Sequence, residues 1–569
     1  MKLRLGLGPV FVYENLVLCR RWQVYAGRAL LIGSLFAGLF VVWYRHLMNR
    51  HFTTYAQLAT VGSSFAAAIM AVELVLALIL VPAVTAGAIC QDKIRGGLAL
   101  MMSTDLSNTE IVLGKLALRL ITLLGTVACG LPVLAIVSTL GGVDPVDTVL
   151  DSLVIVGVVC LGATLSLTFS VWASKPHEAL MATYATFAVW LMALLLISEM
   201  YRGGTPFWLR ATNPFWLIFG YQWFGPGGSR EAVYPLLFFA GSLLISAGLA
   251  LISIRCIRSA ALKQAGRSGR RRRPSLPSSG VPGLVGLSLD RNPILWREWH
   301  RRQPSGWGRG LWTLFAVIAT VVSFFACLPG SHILPGTAAF MVSIGLLMVS
   351  VNSATALAEE RALGSLDILM ATPLSSREIV MGKWWGAFRI VPKLAILPGL
   401  LGLVAMTWRR GLFEAFPFAG LIVALVLAYG ALVTSFCLAF ATWQRRLGRA
   451  VGLSVCTYIA ITVVLPTLYI SMTNGSPDGL WWLIISPFFG MFAPFEWVVW
   501  RWNWETYPDK LSKMATWIIV IGSAAYAILR LTIARFDACL GRVPEAKAWR
   551  PSPAPQGPHA VPVSREIAQ

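Results

Sequence analysis

Long apolar runs alternate along the chain with short polar breaks punctuated by Pro and Gly. The runs fall at 25–44, 61–90, 116–139, 149–173, 179–199 and 232–254, then at 309–328, 335–358, 385–407, 412–441, 449–471 and 514–534. About 20 apolar residues is what an α-helix needs to cross a hydrocarbon core of ~30 Å. Lipid offers no partner to backbone N–H and C=O groups, so each run must be helical. The pattern predicts an all-α, polytopic membrane protein of about twelve transmembrane helices, six in each half. The stretch 259–287 holds the run Arg270–Arg273 followed by Ser, Pro and Gly, the composition of a polar, flexible linker. It separates a first six-span domain, 1–258, from a second, 288–541. The tail, 542–569, is rich in Pro and Ala and has a disordered composition.

The two halves repeat each other. Gly96-Gly97-Leu98-Ala99-Leu100-Met101-Met102-Ser103-Thr104-Asp105-Leu106-Ser107-Asn108-Thr109-Glu110-Ile111-Val112-Leu113-Gly114-Lys115 aligns without a gap on Gly364 to Lys383, with about half of the positions identical. A weaker echo pairs Pro9-Val10-Phe11-Val12-Tyr13-Glu14 with Pro293-Ile294-Leu295-Trp296-Arg297-Glu298, each ahead of a half's first run. A third pairs Asn213-Pro214-Phe215-Trp216 with Ser486-Pro487-Phe488-Phe489, each ahead of a half's last run. Element order and direction are the same in both copies, so the repeats are parallel and related by an axis along the membrane normal.

Within the long match, Leu366, Leu369 and Met370 recur at helical spacing, as do Leu98, Met101 and Met102. Pro373 disfavours helical geometry at Thr372 and stops the helix. Ser375 with Glu378, and Ser107 with Glu110, form the S-x-x-E capping box that opens a new helix. Each copy therefore predicts a short amphipathic helix, at 94–104 and 362–372, then a tight turn and a capped entry into the third span. A short helix held rigidly on a span acts as a lever on it.

Composition adds the membrane's electrostatic signature. Only 13% of the 569 residues are charged, against roughly 25% in soluble domains. The net charge of +22 would raise nucleic acid as a partner in a soluble protein. Here the basic residues sit at span ends, among them Arg20, Arg21, Lys93, Lys115, Lys175, Arg297, Arg361, Lys383 and Arg449. That is the positive-inside pattern; it places both termini in the cytoplasm and removes nucleic acid as a partner. Arg45, Arg50, Arg409 and Arg410 run against the trend. The nine cysteines form no C-x-x-C pair and lie mostly in apolar runs, as small buried hydrophobes. The six histidines show no metal-ligand spacing, and no catalytic constellation stands out, so neither a metal nor enzyme chemistry is expected.

The pattern Glu360-Arg361-x-x-Gly364-Ser365-Leu366-Asp367-x-Leu369-x-x-Thr372-Pro373-Leu374-Ser375-x-x-Glu378-Ile379-Val380-x-Gly382-Lys383 resembles the cytoplasmic loop of type-2 (exporter-type) ABC transporter permeases. The first copy is looser: Asp105 stands for the proline, and Gln91-Asp92-Lys93 for Glu-Glu-Arg. The resemblance implies two permease domains fused in one chain, forming the membrane part of an ATP-driven exporter in a prokaryotic plasma membrane. It implies a dimer of ABC ATPase subunits docked on the loop helices, at Asp92, Lys93, Gly96, Leu98 and Met102 and at Glu360, Arg361, Gly364, Leu366 and Met370. ATP would then be bound by that partner. No G-x-x-x-x-G-K-[ST] loop is present, since Gly114-Lys115 and Gly382-Lys383 are followed by Leu116 and Trp384. An ATPase-coupled membrane machine for envelope assembly, moving no solute, would carry the same loops. The transported substrate is not legible. Glu73, a costly carboxylate inside the second run, is the candidate for the substrate path. The second half has Met341 at that register.

Overall fold

A computed structural model describes residues 8–20, scattered positions from 25 to 43, and 55–541 apart from 95, 140, 201–205, 225–231, 270–292, 301–305, 328–332, 363, 445–446, 467–479 and 500–506. The first predicted span lies largely outside the described residues, as do the tetra-arginine run and the tail. The first half contains α1 (Gly8–Cys19), α2 (Tyr55–Thr85), α3 (Gly87–Ile94), α4 (Gly97–Met102), α5 (Asn108–Val127), α6 (Leu131–Ser138), α7 (Pro145–Trp172), α8 (Pro176–Met200), α9 (Phe207–Thr212), α10 (Pro214–Phe224) and α11 (Val233–Gly269). The second contains α12 (Pro293–His300), α13 (Gly306–Ala326), α14 (Leu334–Ala362), α15 (Ser365–Met370), α16 (Ser376–Phe388), α17 (Val391–Arg410), α18 (Leu412–Trp443), α19 (Leu447–Ile459), α20 (Pro487–Val499) and α21 (Tyr507–Leu540).

Eight continuous stretches among the described residues are long and apolar enough to cross a membrane: Phe65–Ile94, Asn108–Ser138, Pro145–Trp172, Val233–Leu262, Leu334–Arg361, Ser376–Arg410, Leu412–Trp443 and Asp509–Leu540. The helices α8, α13 and α19 occupy three further predicted slots. The chain is thus an all-helical, polytopic membrane protein. One sequence expectation needs refining. The third span of each half is two helices, broken at Ala128–Gly130 between α5 and α6 and at Arg389–Ile390 between α16 and α17. Pro132 and Pro392 sit at the starts of the outer pieces, where a missing N–H costs nothing.

Equivalent elements follow one plan in both halves. α7 is sandwiched by α2 and α11, and α18 by α17, α21 and α14. In each half a tyrosine on the fifth span ties back to the second: Tyr184 Oη donates to Ile79 O (2.7 Å) and Tyr458 Oη to Ser343 O (2.6 Å). The third echo marks equivalent helix starts. Asn213 Oδ1 accepts from the N–H groups of Phe215 and Trp216 at the head of α10, and Ser486 Oγ accepts from Phe489 N–H at the head of α20.

The halves meet where α8 packs on α13 and α14. Leu180, Tyr184, Ala188 and Met192 join the same apolar core as Phe315, Ala319, Val322 and Met341. At the loop-helix end of this seam Lys175 Nζ lies 2.5 Å from Glu359 Oε1, an ion pair between halves. At the equivalent registers the pairing would need Arg446 and Gln91, and Gln91 carries no charge.

Candidate functional site: the paired loop assemblies

Each loop helix begins with a backbone turn that only glycine makes without strain. Gly96 has φ 75° and Gly364 φ 71°, in the left-handed region where a Cβ is disfavoured. The turn folds a six-residue helix, α4 or α15, back under the bundle. Both following capping boxes are formed. Ser107 Oγ accepts from Glu110 N–H at 3.2 Å while Glu110 Oε2 accepts from Ser107 N–H at 2.9 Å. Ser375 and Glu378 do the same at 3.2 and 2.8 Å. Hydrogen bonding to the charged form suits the negative end-group that a helix N-terminus favours. Replacing Ser375 with Ala should lower the stability of the purified chain by about 1 kcal/mol, read from thermal unfolding; no loss would mean the box is not formed in the folded protein.

Beneath the loops lies an ionic assembly built the same way twice. Lys383, 1% exposed, lies 2.5 Å from Glu298 Oε1 and 2.7 Å from Glu360 Oε1. Arg297 Nη2 adds a contact to Glu360 Oε1 at 3.1 Å. In the first half Lys115, 3% exposed, pairs with Glu14 and lies 2.5 Å from Asp92 Oδ2. The lysine closes the long repeated motif, one acid closes the short echo on α1 or α12, and the other acid ends the second span. One cation therefore fastens three elements: the pre-span helix, the second span and the third span. Gly386 permits the close approach, since a Cβ there would stand 2.9 Å from Glu298 Cβ. Arg389 donates to Glu298 O (3.1 Å) and Trp299 O (3.2 Å), holding the end of α12.

The neighbouring base caps the fourth span in each half. Lys93 Nζ donates to Ser170 O (3.1 Å), Ala173 O (3.2 Å) and Val171 O at the end of α7. Arg361 Nη1 donates to Thr442 O (3.0 Å) and Gln444 O (3.2 Å) at the end of α18. A cation on unpaired C-terminal carbonyls satisfies them and opposes the helix dipole.

Most polar residues proposed from sequence as docking contacts are thus engaged inside the protein. Asp92 and Glu360 hold the buried lysines, and Lys93 and Arg361 hold the end of the fourth span. Leu98 (2% exposed) and Leu366 (1%) point into the bundle, while Met102 and Met370 are half-buried. The apolar stripe is the loop helix's anchor. Its outward face carries Leu100, 71% exposed, and Ile368, 73% exposed, at equivalent registers. Around them Ala99, Ser103, Thr104 and Asp105 are exposed in one copy, and Asp367, Ala371 and Pro373 in the other. Periodicity found the stripe but could not say which side faced the protein. The signal was the large apolar residue left off the stripe at the same place twice.

Glu73 is brought to the break in the third span of its own half. It is 3% exposed, and a Cβ on Gly130 would stand 1.7 Å from its Oε1, an oxygen with no hydrogen-bond partner. It borders a cavity of about 30 Å³ with Leu76, Ala77, Leu80, Thr126 and Val127, all of the first half. The structure therefore seats it among residues of the first half.

Residues 318–538 match the protein family described as ABC-2 family transporter protein. No curated protein matches the chain.

Proposed function

We propose that the whole chain is the two-domain permease of an ATP-driven exporter, powered by a separate pair of ATPase subunits, a reading supported by the match of residues 318–538 to the ABC-2 family transporter protein family. The observation that carries this reading is the twofold occurrence of an exposed apolar residue, Leu100 and Ile368, on a loop helix whose other face is anchored in the bundle. An isolated exposed leucine is ordinary on a soluble surface. Two at one register, each on a helix braced by a buried lysine, suit a groove on each of two equal partners. Closure of the ATPase pair would press on α4 and α15. The ionic assemblies would carry that push to the pre-span helix and to the second and third spans together.

The test is co-purification of the tagged chain from its native membranes, read as ATP hydrolysis in the eluate. We expect hydrolysis with the unaltered chain and its loss in the double variant Leu100→Asp with Ile368→Asp, at unchanged yield and elution volume. The reading fails if no ATPase accompanies the chain, or if the double variant retains it. Vesicle assays then give the direction of movement. A machine that moves no solute would share the loops, and the apolar character of the described seam favours it over a path for polar substrates. It predicts ATPase coupling without flux of any cargo.

A further inference from the structure

On its outer surface the second half has a groove of about 290 Å³ between α16, α18 and α21 that the transport reading does not use. Its floor is apolar: Met381, Trp384, Ala431, Ala525 and Leu529. The Trp384 ring is fixed there, donating from Nε1 to Ser435 Oγ at 3.0 Å and stacking on Phe388 at 4.7 Å. Two guanidiniums, Arg377 and Arg530, line the groove. Both are exposed, and neither forms an ion pair with a described residue. Arg530 lies 6.0 Å from the Tyr526 ring, itself 61% exposed.

Depth identifies the occupant. The stretch Met514–Leu529 carries no charge, so Arg530 is the first charge on α21 toward the loop-helix side. Ser376 Oγ donates to Asp537, which sets Arg377 level with that part of α21. Seven residues separate Asp537 from Arg530, roughly 10 Å along the helix, and an arginine side chain reaches back toward the interface over much of that distance. The two guanidiniums therefore bracket the level where phosphate meets acyl ester in the leaflet on the loop-helix side. Tyr526 is the aromatic type that favours that level.

The first half lacks the feature. At the same registers it has Thr109 for Arg377 and Ala247 near Arg530, although Asn108 Nδ2 still donates to Ile254 O (3.4 Å) where Ser376 meets Asp537. The arginines are thus not needed to pack the fold. The geometry points to a binding site for one anionic phospholipid, with the phosphate held between Arg377 and Arg530 and an acyl chain lying along the Trp384 floor.

Native mass spectrometry of the full chain, loaded with phosphatidylglycerol or phosphatidylcholine, tests this. Two arginines near the headgroup level should give a preference for the anionic lipid of roughly 30-fold. The double variant Arg377→Gln with Arg530→Gln should lose it, and Arg377→Lys with Arg530→Lys should keep most of it. Arg535→Gln, an exposed base on the same helix outside the groove, should bind as the unaltered chain does. Surface changes of this kind leave folding within about 0.5 kcal/mol, so a lost preference is not a lost fold. Equal retention of both lipids, retention unaffected by the Gln pair, or displacement of the lipid by inorganic phosphate alone would each overturn the assignment.

Discussion

Replacing Lys383 with Met should destabilise the purified chain by about 3–5 kcal/mol, the cost of leaving buried charge without its partner. Met keeps the length and packing of the lysine stem, so the loss reports the charge. What remains is Glu298, 5% exposed, facing Glu360, 11% exposed, with Arg297, 44% exposed, beside Glu360. Two carboxylates sharing a dry site cannot both ionise cheaply. The equivalent Lys115→Met should cost less, because Glu14 and Asp92 are each 26% exposed and water can reach them. Replacing the acids together with the lysine, in a Lys383→Met, Glu298→Leu, Glu360→Leu triple variant, should recover most of the stability, since exchanging a whole buried ion set for apolar residues of similar volume is often close to neutral. Thermal unfolding followed by size exclusion reads all three. A Lys383→Met protein as stable as the unaltered chain would mean that the assembly is absent.

The same comparison separates stability from coupling. An apolar trio in place of Lys383, Glu298 and Glu360 would hold α12, α14 and α16 together, but it would tolerate several registers. A lysine that must meet two acids at 2.5 and 2.7 Å accepts one. On the proposed coupling to an ATPase partner, the triple variant should therefore fold and bind that partner yet show weakened linkage between ATP hydrolysis and movement, a separation that plain misfolding does not give.

Residues of this assembly stood in both sequence echoes without announcing that they touch. Lys383 closes one echo and Glu298 the other, 85 positions apart. Periodicity and capping are local signals and carry no information over that distance. The clue lay in the repeat itself: an acid ends the short echo and a lysine ends the long one in both halves, and each borders apolar sequence where an unpaired charge is costly. The spans and caps were legible because hydropathy and the S-x-x-E spacing are local. The orientation of α4 and α15 was not, because an amphipathic stripe looks the same whether it meets a partner or its own bundle. The breaks in the third spans were signalled by Pro132 and Pro392, but hydropathy passes through a proline unchanged, and a proline near a break supplies no direction for the chain beyond it.

How that break is held leads to the second large effect. Past Arg389–Ile390, the first turn of α17 is wedged between glycines of two neighbouring spans. A Cβ on Gly430 of α18 would stand 2.2 Å from Val391 Cγ1 and 2.9 Å from Val391 Cβ; one on Gly345 of α14 would stand 2.3 Å from Leu394 Cδ1. Small residues let backbones approach closely where lipid supplies no hydrophobic drive to association. Val391 is β-branched and stiff at χ1, so it cannot swing aside as a long side chain would. Gly430→Ala must then move backbone, and it should cost about 1–3 kcal/mol. Val391→Ala in the same chain removes the two Cγ contacts and keeps the Cβ one, so the double variant should recover part of the loss and not all of it. That non-additivity is the decisive reading. If the two changes simply sum, α17 is not seated on Gly430, and the loop side of the third span is free to tilt without carrying its outer half. If they couple, a push on α15 that moves α16 meets a fixed outer segment, and the span bends at Arg389–Ile390.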